Sequence, residues 1–359
     1  MELICRDRRD NLGWQTIPLR FLQGLKLGCS GCAACCQSYA IDELPPAGHR
    51  RLSHDLVTGV LPDQLRGAAR EVLEVNGHIP FTGRCLFLLD DDGCALHRHY
   101  GPTAKPSWCR LFPIRFLKAN HELRAHVLDE CPEYERVPES PLDCLADSLR
   151  LILRQLPAIA ELPEDIPLGQ NESISPVRYL AREQRARAVL QSIGDPFLAV
   201  QTVAGILLDQ AVPSAQFSRF WRRCAAVIPS ALEQAEAAYR GCLPTGGFIV
   251  NELRSVNLLF LSKAHPGPHV VRADDTTLAV EPRWREAIAN EVFGLRLLDY
   301  PLASVRAGVL LLSVKMKLAT VESSLFPTWQ ARWAAVNRTF RNGYVQDRLH
   351  GICADSETV

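Results

Sequence analysis

The sequence predicts an α-rich α+β protein, in which a loop-rich cysteine-cluster module with a short hairpin precedes an all-helical C-terminal half. Two observations lead to this prediction. Nine of the thirteen cysteines lie between Cys29 and Cys144. From about Leu142 onward, apolar residues recur at the spacing of one helix face. We therefore expect a cysteine-cluster domain over residues 1–140 and a helical domain over residues 141–359.

Composition narrows the classes of function. The chain has 359 residues, is 47% hydrophobic, and carries 40 basic and 40 acidic residues. This balance argues against a broad nucleic-acid surface. The first fourteen residues are highly charged and lack the apolar segment of a secretory signal, and the apolar stretch 305–314 is interrupted by Arg306 and is too short to span a bilayer. We expect a cytoplasmic protein with neither nucleic-acid nor membrane partners.

The first cysteine group, Cys29-Ser-Gly-Cys32-Ala-Ala-Cys35-Cys36, has the pattern CxxCxxCC. In a reducing compartment, thiols at this spacing indicate a metal site rather than a disulfide framework. Gly28 and Gly31 fit a loop that wraps its backbone around a metal centre. This stretch therefore predicts a metal or iron–sulfur site.

A second group of cysteines follows. The segment from Cys85 to Cys94 predicts a hairpin with its turn at residues 90–93. The prolines flanking Cys109 predict a rigid, non-helical presentation, and Cys131 precedes a proline, as cluster ligands sometimes do. We expect the following residues to be metal ligands that lie close together: Cys29, Cys32, Cys35, Cys36, Cys85, Cys94, Cys109 and Cys131. The remaining thiols Cys5, Cys224, Cys242 and Cys353 should lie elsewhere.

The sequence does not decide which metal the cysteines bind. Eight thiolates could hold two 4Fe-4S clusters, one cluster and a zinc ion, or two zinc ions. The CxxCxxC run is closer to ferredoxin ligation than to zinc knuckles, which favours iron–sulfur over zinc. Other candidates are secondary: a histidine could replace a thiolate at His97, His99, His121 or His126, and Cys144 is more typical of a helix core.

Several separated motifs carry a family resemblance. CxxCxxCC is followed by Cys85-Leu-Phe-Leu, by Cys94, by Tyr100 and by Lys105-Pro106-x-x-Cys109-Arg110-x-Phe112-Pro113. Together they resemble the YkgJ-type cysteine-cluster domain over roughly residues 25–135. The resemblance implies a zinc- or iron-chelating module. One departure is Lys105, where the usual segment of that family has arginine.

The same module is similar to the one that precedes a helical half in flagellin lysine-N-methylase-like proteins, and residues 289–298 resemble that half. This resemblance implies a protein-lysine N-methylase that uses S-adenosylmethionine and acts on a lysine-bearing, flagellin-like protein. It assigns no catalytic or cofactor-binding residue here, and the chain lacks the glycine-rich turn of conventional methyltransferases. The alternative is a non-enzymatic protein in which the cysteines bind metal structurally, for delivery or for sensing.

Helical periodicity predicts most of the remaining elements. A segment rich in Pro, Glu and Ser, residues 161–176, is expected to be an interdomain linker. A basic turn formed by Arg219, Arg222 and Arg223 is typical of a solvated helix face, with recognition of an acidic partner as the alternative. The predicted helices are residues 63–75, 145–156, 177–193, 197–210, 215–239, 283–298, 304–321 and 328–341.

Overall fold

A computed structural model gives the fold of the chain. It describes residues 17–22, 26–27, 33–37, 41–44, 46–75, 77–79, 85–128, 130–131, 140–141, 146–153, 159–169, 171–242, 248–264, 283–294, 296–298, 304–321, 325–326 and 328–357. The predicted fold class is confirmed, since the protein is mostly α-helical, with a small sheet in its N-terminal half. Within the described residues, no helix combines the length and the apolar character that crossing a bilayer would require.

The elements follow one another in a strand-containing part and a helical part. In chain order they are β1 (Leu19–Phe21), β2 (Lys26–Leu27), β3 (Ile41–Glu43), α1 (Pro46–Val57), α2 (Asp63–Glu74), β4 (His78–Ile79), α3 (Ala95–Tyr100), α4 (Ser107–Leu111), β5 (Ile114–Ala119), β6 (Glu122–Val127), β7 (Ser140–Pro141), α5 (Ala146–Leu153), β8 (Ala160–Glu161), β9 (Ile166–Gly169), β10 (Glu172–Ile174), α6 (Pro176–Leu190), α7 (Pro196–Leu208), α8 (Ser214–Cys242), α9 (Phe248–Ala264), α10 (Arg283–Phe293), α11 (Val305–Ala319), α12 (Trp329–Phe340) and α13 (Gly343–Glu357).

The principal sheet has four strands in the order β1-β6-β5-β8. Its centre is an antiparallel hairpin of β5 and β6, joined at Asn120, whose φ of +53° suits a tight turn. Strand β1 runs parallel to β6, and β8 runs parallel to β5. The sheet is therefore assembled from segments more than a hundred residues apart.

The hairpin predicted around Cys85 and Cys94 is largely wrong. One antiparallel bridge joins Leu88 to Cys94, and the chain then enters α3 rather than a return strand. The apolar run here is short, and the turn at Asp92, with a φ of +61°, leads directly into helix. The hairpin of this region is β5–β6 instead.

The predicted linker over residues 161–176 is also wrong. This segment continues β8 into the antiparallel pair β9–β10. Its apolar residues Ile166, Leu168 and Ile174 are buried in the main hydrophobic core. Composition predicted a loop because proline and serine are frequent there, but the alternate apolar side chains hold the segment against the helices.

Helix α11 is the centre of the helical part. Fourteen of its fifteen residues are buried, all except Lys317. The side chain of Ser304 caps it by accepting a hydrogen bond from the Ala307 amide at 3.2 Å. The predicted helix over 304–321 is thus confirmed within two residues at each end.

Close packing at Gly308 fixes the position of α11. A Cβ atom at this residue would lie 2.3 Å from the carbonyl oxygen of Leu297 and 2.6 Å from its Cα. Because both neighbours are backbone atoms, they cannot rotate away. Only glycine allows α11 to approach the short 3₁₀ turn Arg296–Leu298 this closely.

We expect Gly308→Ala to lower the free energy of unfolding by about 1–3 kcal/mol, because the added methyl group overpacks a rigid contact. The matched control is Gly351→Ala in α13, where a Cβ atom would meet no atom within 4 Å. That change should raise stability by about 0.5–1 kcal/mol, since alanine favours helix. Chemical denaturation of both variants measures the difference, and equal stability would contradict the close-packing argument.

Candidate metal centre

The described part of the CxxCxxCC motif is a tight turn. Ala33 has a φ of +56°, and residues Cys35–Gln37 form a single 3₁₀ turn. The Gln37 amide donates to the Ala33 carbonyl at 3.1 Å. This turn places the Sγ atoms of Cys35 and Cys36 3.9 Å apart. Their hydrogen bond lowers the pKa of the Cys36 thiol to about 7, which favours its metal-binding thiolate form.

Cys85 joins this turn through the backbone. Its amide donates to the carbonyl of Cys36 at 2.7 Å, and its side chain is buried. Downstream, Leu89 donates to the Gly93 carbonyl at 2.8 Å, which folds the chain back and sets Cys94 at the start of α3. Two cysteines distant in sequence from the CxxCxxCC motif thus approach it.

Cys109 completes a group of four neighbouring thiols. Burial raises its pKa to about 12, and the nearby thiols of Cys85, Cys36 and Cys94 act in the same direction. Burial likewise raises the pKa of Cys85 to about 11, with Cys36 and Cys94 again contributing. Cys36, Cys85 and Cys94 also pack together in one apolar cluster with Phe87 and Leu96.

A positive charge lies near these thiols. The ammonium group of Lys105 acts to lower the pKa values of the Cys36, Cys85 and Cys109 thiols, although at all three the opposing effect of burial is larger. A cation beside several thiols stabilises their thiolate forms. Lys105, which stands where arginine was expected, therefore still supplies a positive charge beside the thiols.

The expected non-helical presentation of Cys109 is wrong, because this residue lies in the short helix α4. Pro106 precedes the helix and accepts a hydrogen bond from the Arg110 amide through its carbonyl. Proline is compatible with the start of a helix, since the first amides there have no intrahelical partner. Pro106 and Pro113 therefore flank a short helix and do not prevent it from forming.

The other predicted site residues divide into three groups. Cys29, Cys32, Cys144, Cys5 and the side chain of Cys242 lie outside the described residues. Cys131 is buried in a neighbouring apolar cluster that contains Leu111 and Val127. As expected, Cys224 and Cys353 lie elsewhere, fully buried in the main core.

The four histidines differ in their positions. His97, His99 and His121 are exposed, and His126 is buried on β6. A Cβ atom at Gly294 would lie 2.5 Å from the His126 ring, so this ring packs against the backbone that follows α10. Among the described residues, no three Cys, His, Asp or Glu side chains converge closely enough to hold a metal ion. The eight-ligand assignment stays a prediction.

Comparison with known families identifies the region around these thiols. Residues 28–133 match the family model CxxCxxCC, described as "Putative zinc- or iron-chelating domain". The resemblance of this region to the cysteine-cluster family is confirmed. No curated protein and no solved structure matches the chain significantly. The zinc- or iron-chelating domain therefore accounts for the N-terminal region alone.

A buried carboxylate beside Cys131 was not predicted from the sequence. Glu130 is fully enclosed, and the Arg296 guanidinium donates to both of its oxygens, one of them at 3.1 Å. Arg341 adds a second ion pair at 2.5 Å, and Arg338 donates to the Glu130 backbone carbonyl. The sequence alone does not indicate these ion pairs, because the arginines lie 166 or more positions away from Glu130.

The two arginines determine the ionisation of Glu130. Burial alone would raise the pKa of its carboxyl group, but the charges of Arg296 and Arg341 outweigh burial and hold the pKa well below its usual range. The contribution of Glu130 to stability is therefore complete above the ordinary carboxyl pKa and is lost as the pH falls.

We expect Glu130→Gln to lower the free energy of unfolding by about 3–5 kcal/mol at neutral pH, because it leaves the buried guanidinium group of Arg296 and the partly exposed one of Arg341 without their counter-charge. Glu172→Gln, at an exposed position of β10, is the control and should change stability by less than about 0.5 kcal/mol. Denaturation at several pH values measures both. The difference between wild type and Glu130→Gln should shrink as the pH falls below about 4, and a constant difference would contradict the ion-pair interpretation.

Proposed function

We propose that the protein binds zinc or iron through the cysteine thiolates of residues 28–133. The observation that carries this proposal is the turn that brings the Cys35 and Cys36 thiols together and bonds to the Cys85 amide, within the region that matches a chelating domain. Thiolates are the ligands that zinc and iron–sulfur centres share. A reducing cytoplasmic compartment would keep these thiols available for ligation.

The finer proposal is an iron–sulfur centre rather than zinc. It is supported by the CxxCxxC spacing and by the number of thiols in the region. Such a centre carries net negative charge, which the Lys105 ammonium beside Cys36 and Cys85 would offset. In this proposal the cysteines bind the metal, and the lysine balances their charge.

We expect Cys85→Ser to lose most of the bound metal after anaerobic purification, because a serine hydroxyl is a poor substitute for a thiolate. Cys224→Ser is the matched control, since Cys224 is also a buried thiol but lies in the main core. Metal analysis counts zinc and iron per chain, and a visible absorption band identifies iron–sulfur. Equal metal contents in the two variants would contradict the proposed site.

A further proposal concerns activity: the protein is a protein-lysine N-methylase that uses S-adenosylmethionine. Its support is the order of a cysteine-cluster domain and a helical part, as in the architecture that the sequence resembles. The contacts of Glu130 with Arg296 and Arg341 join the end of the cysteine-rich region to that helical part. The lysine-bearing substrate would be a flagellin-like protein.

If this activity is present, the metal-loaded protein should bind S-adenosylmethionine in anaerobic calorimetry. It should also add mass in methyl increments to purified flagellin. The variant Arg110→Ala, beside Cys109, removes a charge without removing a ligand. We expect it to keep the metal and to lower methylation. Metal-loaded protein that fails to bind the cofactor would contradict the methylase proposal and favour a non-enzymatic, metal-handling protein.

A further inference from the structure

A cavity in the helical part lies outside the cysteine-rich region. It has a volume of about 460 Å³ and is lined by residues of α8 and by Leu310 of α11. This volume is within the range of small-molecule sites. The cavity is therefore large enough to hold a small-molecule ligand.

Three guanidinium groups dominate the polar side of this cavity. Arg219, Arg222 and Arg223 line it, and their spacing of three and four residues places them on one side of α8. The lining residues that the structure describes include no carboxylate. Like charges this close oppose helix formation, and an anion would relieve their repulsion.

The N-terminal half of α8 contains basic residues and no acidic ones. Two other arginines of the helical part are paired with acids, Arg182 with Asp209 and Arg338 with Glu252. By contrast, Arg219 and Arg222 are exposed and form no ion pair within the described part of the chain. The first acidic residue of α8 is Glu233. The N-terminal half of this helix thus presents positive charge without an acidic neighbour along it.

Apart from Gln216, the rest of the lining is apolar. Phe220 and Leu310 are buried, and Ala226 is exposed. The apolar surface open to water is therefore that of Ala226 and of the aliphatic stems of Arg219 and Arg222, with Phe220 and Leu310 beneath it. A free inorganic anion would leave this surface in contact with water. A ligand that also has an apolar body would cover it and would gain from the hydrophobic effect.

We propose that the cavity binds a small anionic molecule with an aromatic or apolar body. Its phosphate or carboxylate group accepts hydrogen bonds from the guanidinium groups of Arg219 and Arg222, which suit planar, two-point contact with such groups. Its apolar body lies against Phe220, Ala226 and Leu310. The concave shape favours a small molecule over the surface of an acidic protein.

Calorimetry on the full chain tests this proposal with 1-naphthyl phosphate, 1-naphthoate and inorganic phosphate as probes. At least one naphthyl probe should bind at one site per chain and about tenfold or more tighter than inorganic phosphate. The stronger of the two naphthyl probes identifies the head group. The double variant Arg219→Gln/Arg222→Gln should weaken binding about tenfold or more, because it removes two charged hydrogen-bond donors.

Two further variants distinguish binding in the cavity from non-specific attraction to positive charge. Arg185→Gln removes an exposed positive charge of α6, outside the cavity, and should leave the affinity unchanged. Ala226→Phe should fill the apolar side and weaken the naphthyl probe while all arginines remain. Circular dichroism confirms that each variant is folded.

Three results would overturn the proposal. The first is an unchanged affinity in the double arginine variant or in Ala226→Phe. The second is an equal loss of affinity in Arg185→Gln, which would show non-specific charge attraction. The third is binding of a poly-glutamate peptide without binding of either naphthyl probe, which would assign the arginines to an acidic protein partner.

Discussion

The burial of Glu130 is the constraint on which the arrangement of this protein depends. An enclosed carboxylate is tolerated only when its charge is balanced and its oxygens are hydrogen-bonded. Arg296 and Arg341 meet both conditions, and Arg338 holds the backbone of the same residue while it pairs with Glu252. Two separate segments of the helical part, the turn Arg296–Leu298 and the C-terminal end of α12, therefore converge on one residue at the end of the cysteine-rich region.

Strand β6 strengthens the same junction. The Asn290 side chain of α10 accepts a hydrogen bond from the Val127 amide at 3.2 Å and donates to the Val127 carbonyl at 2.6 Å. Arg124, on the same strand, pairs with Glu183 of α6 and lies over the Phe293 ring. The sheet and the helices are thus joined by specific polar contacts as well as by apolar packing. Such contacts fix one relative position, whereas apolar packing alone tolerates several.

Sequence reasoning succeeded where the signal was local. Thiols at CxxCxxCC spacing and the motif around Cys109 identified the chelating region without any structure. Helix α11 was predicted because its apolar residues recur at helical spacing, and the structure adds the Ser304 cap at its start. Helix α1 was missed because its sequence is mostly polar and begins at a proline that reads as a turn.

The features that the sequence did not reveal depend on distant partners. The β5–β6 hairpin was missed because its burial does not alternate strictly along either strand. The role of Glu130 could not be inferred, because nothing in the neighbouring sequence distinguishes it from an ordinary surface glutamate. Its arginines also occur in segments whose own pattern predicts only helix. Pairing across such distances is decided by the tertiary fold and not by neighbouring residues.

The distance along the chain between Glu130 and its partners has a consequence for biosynthesis. Arg296 and Arg341, which pair with the carboxylate, follow Glu130 by 166 and 211 residues. As the polypeptide leaves the ribosome, the carboxylate must stay hydrated until Arg341 has emerged, because its buried position requires both charges. The segment that ends at Cys131 can therefore reach its final position only after the chain has been synthesised as far as Arg341. Metal binding through the predicted ligand Cys131 would then follow synthesis of the helical part.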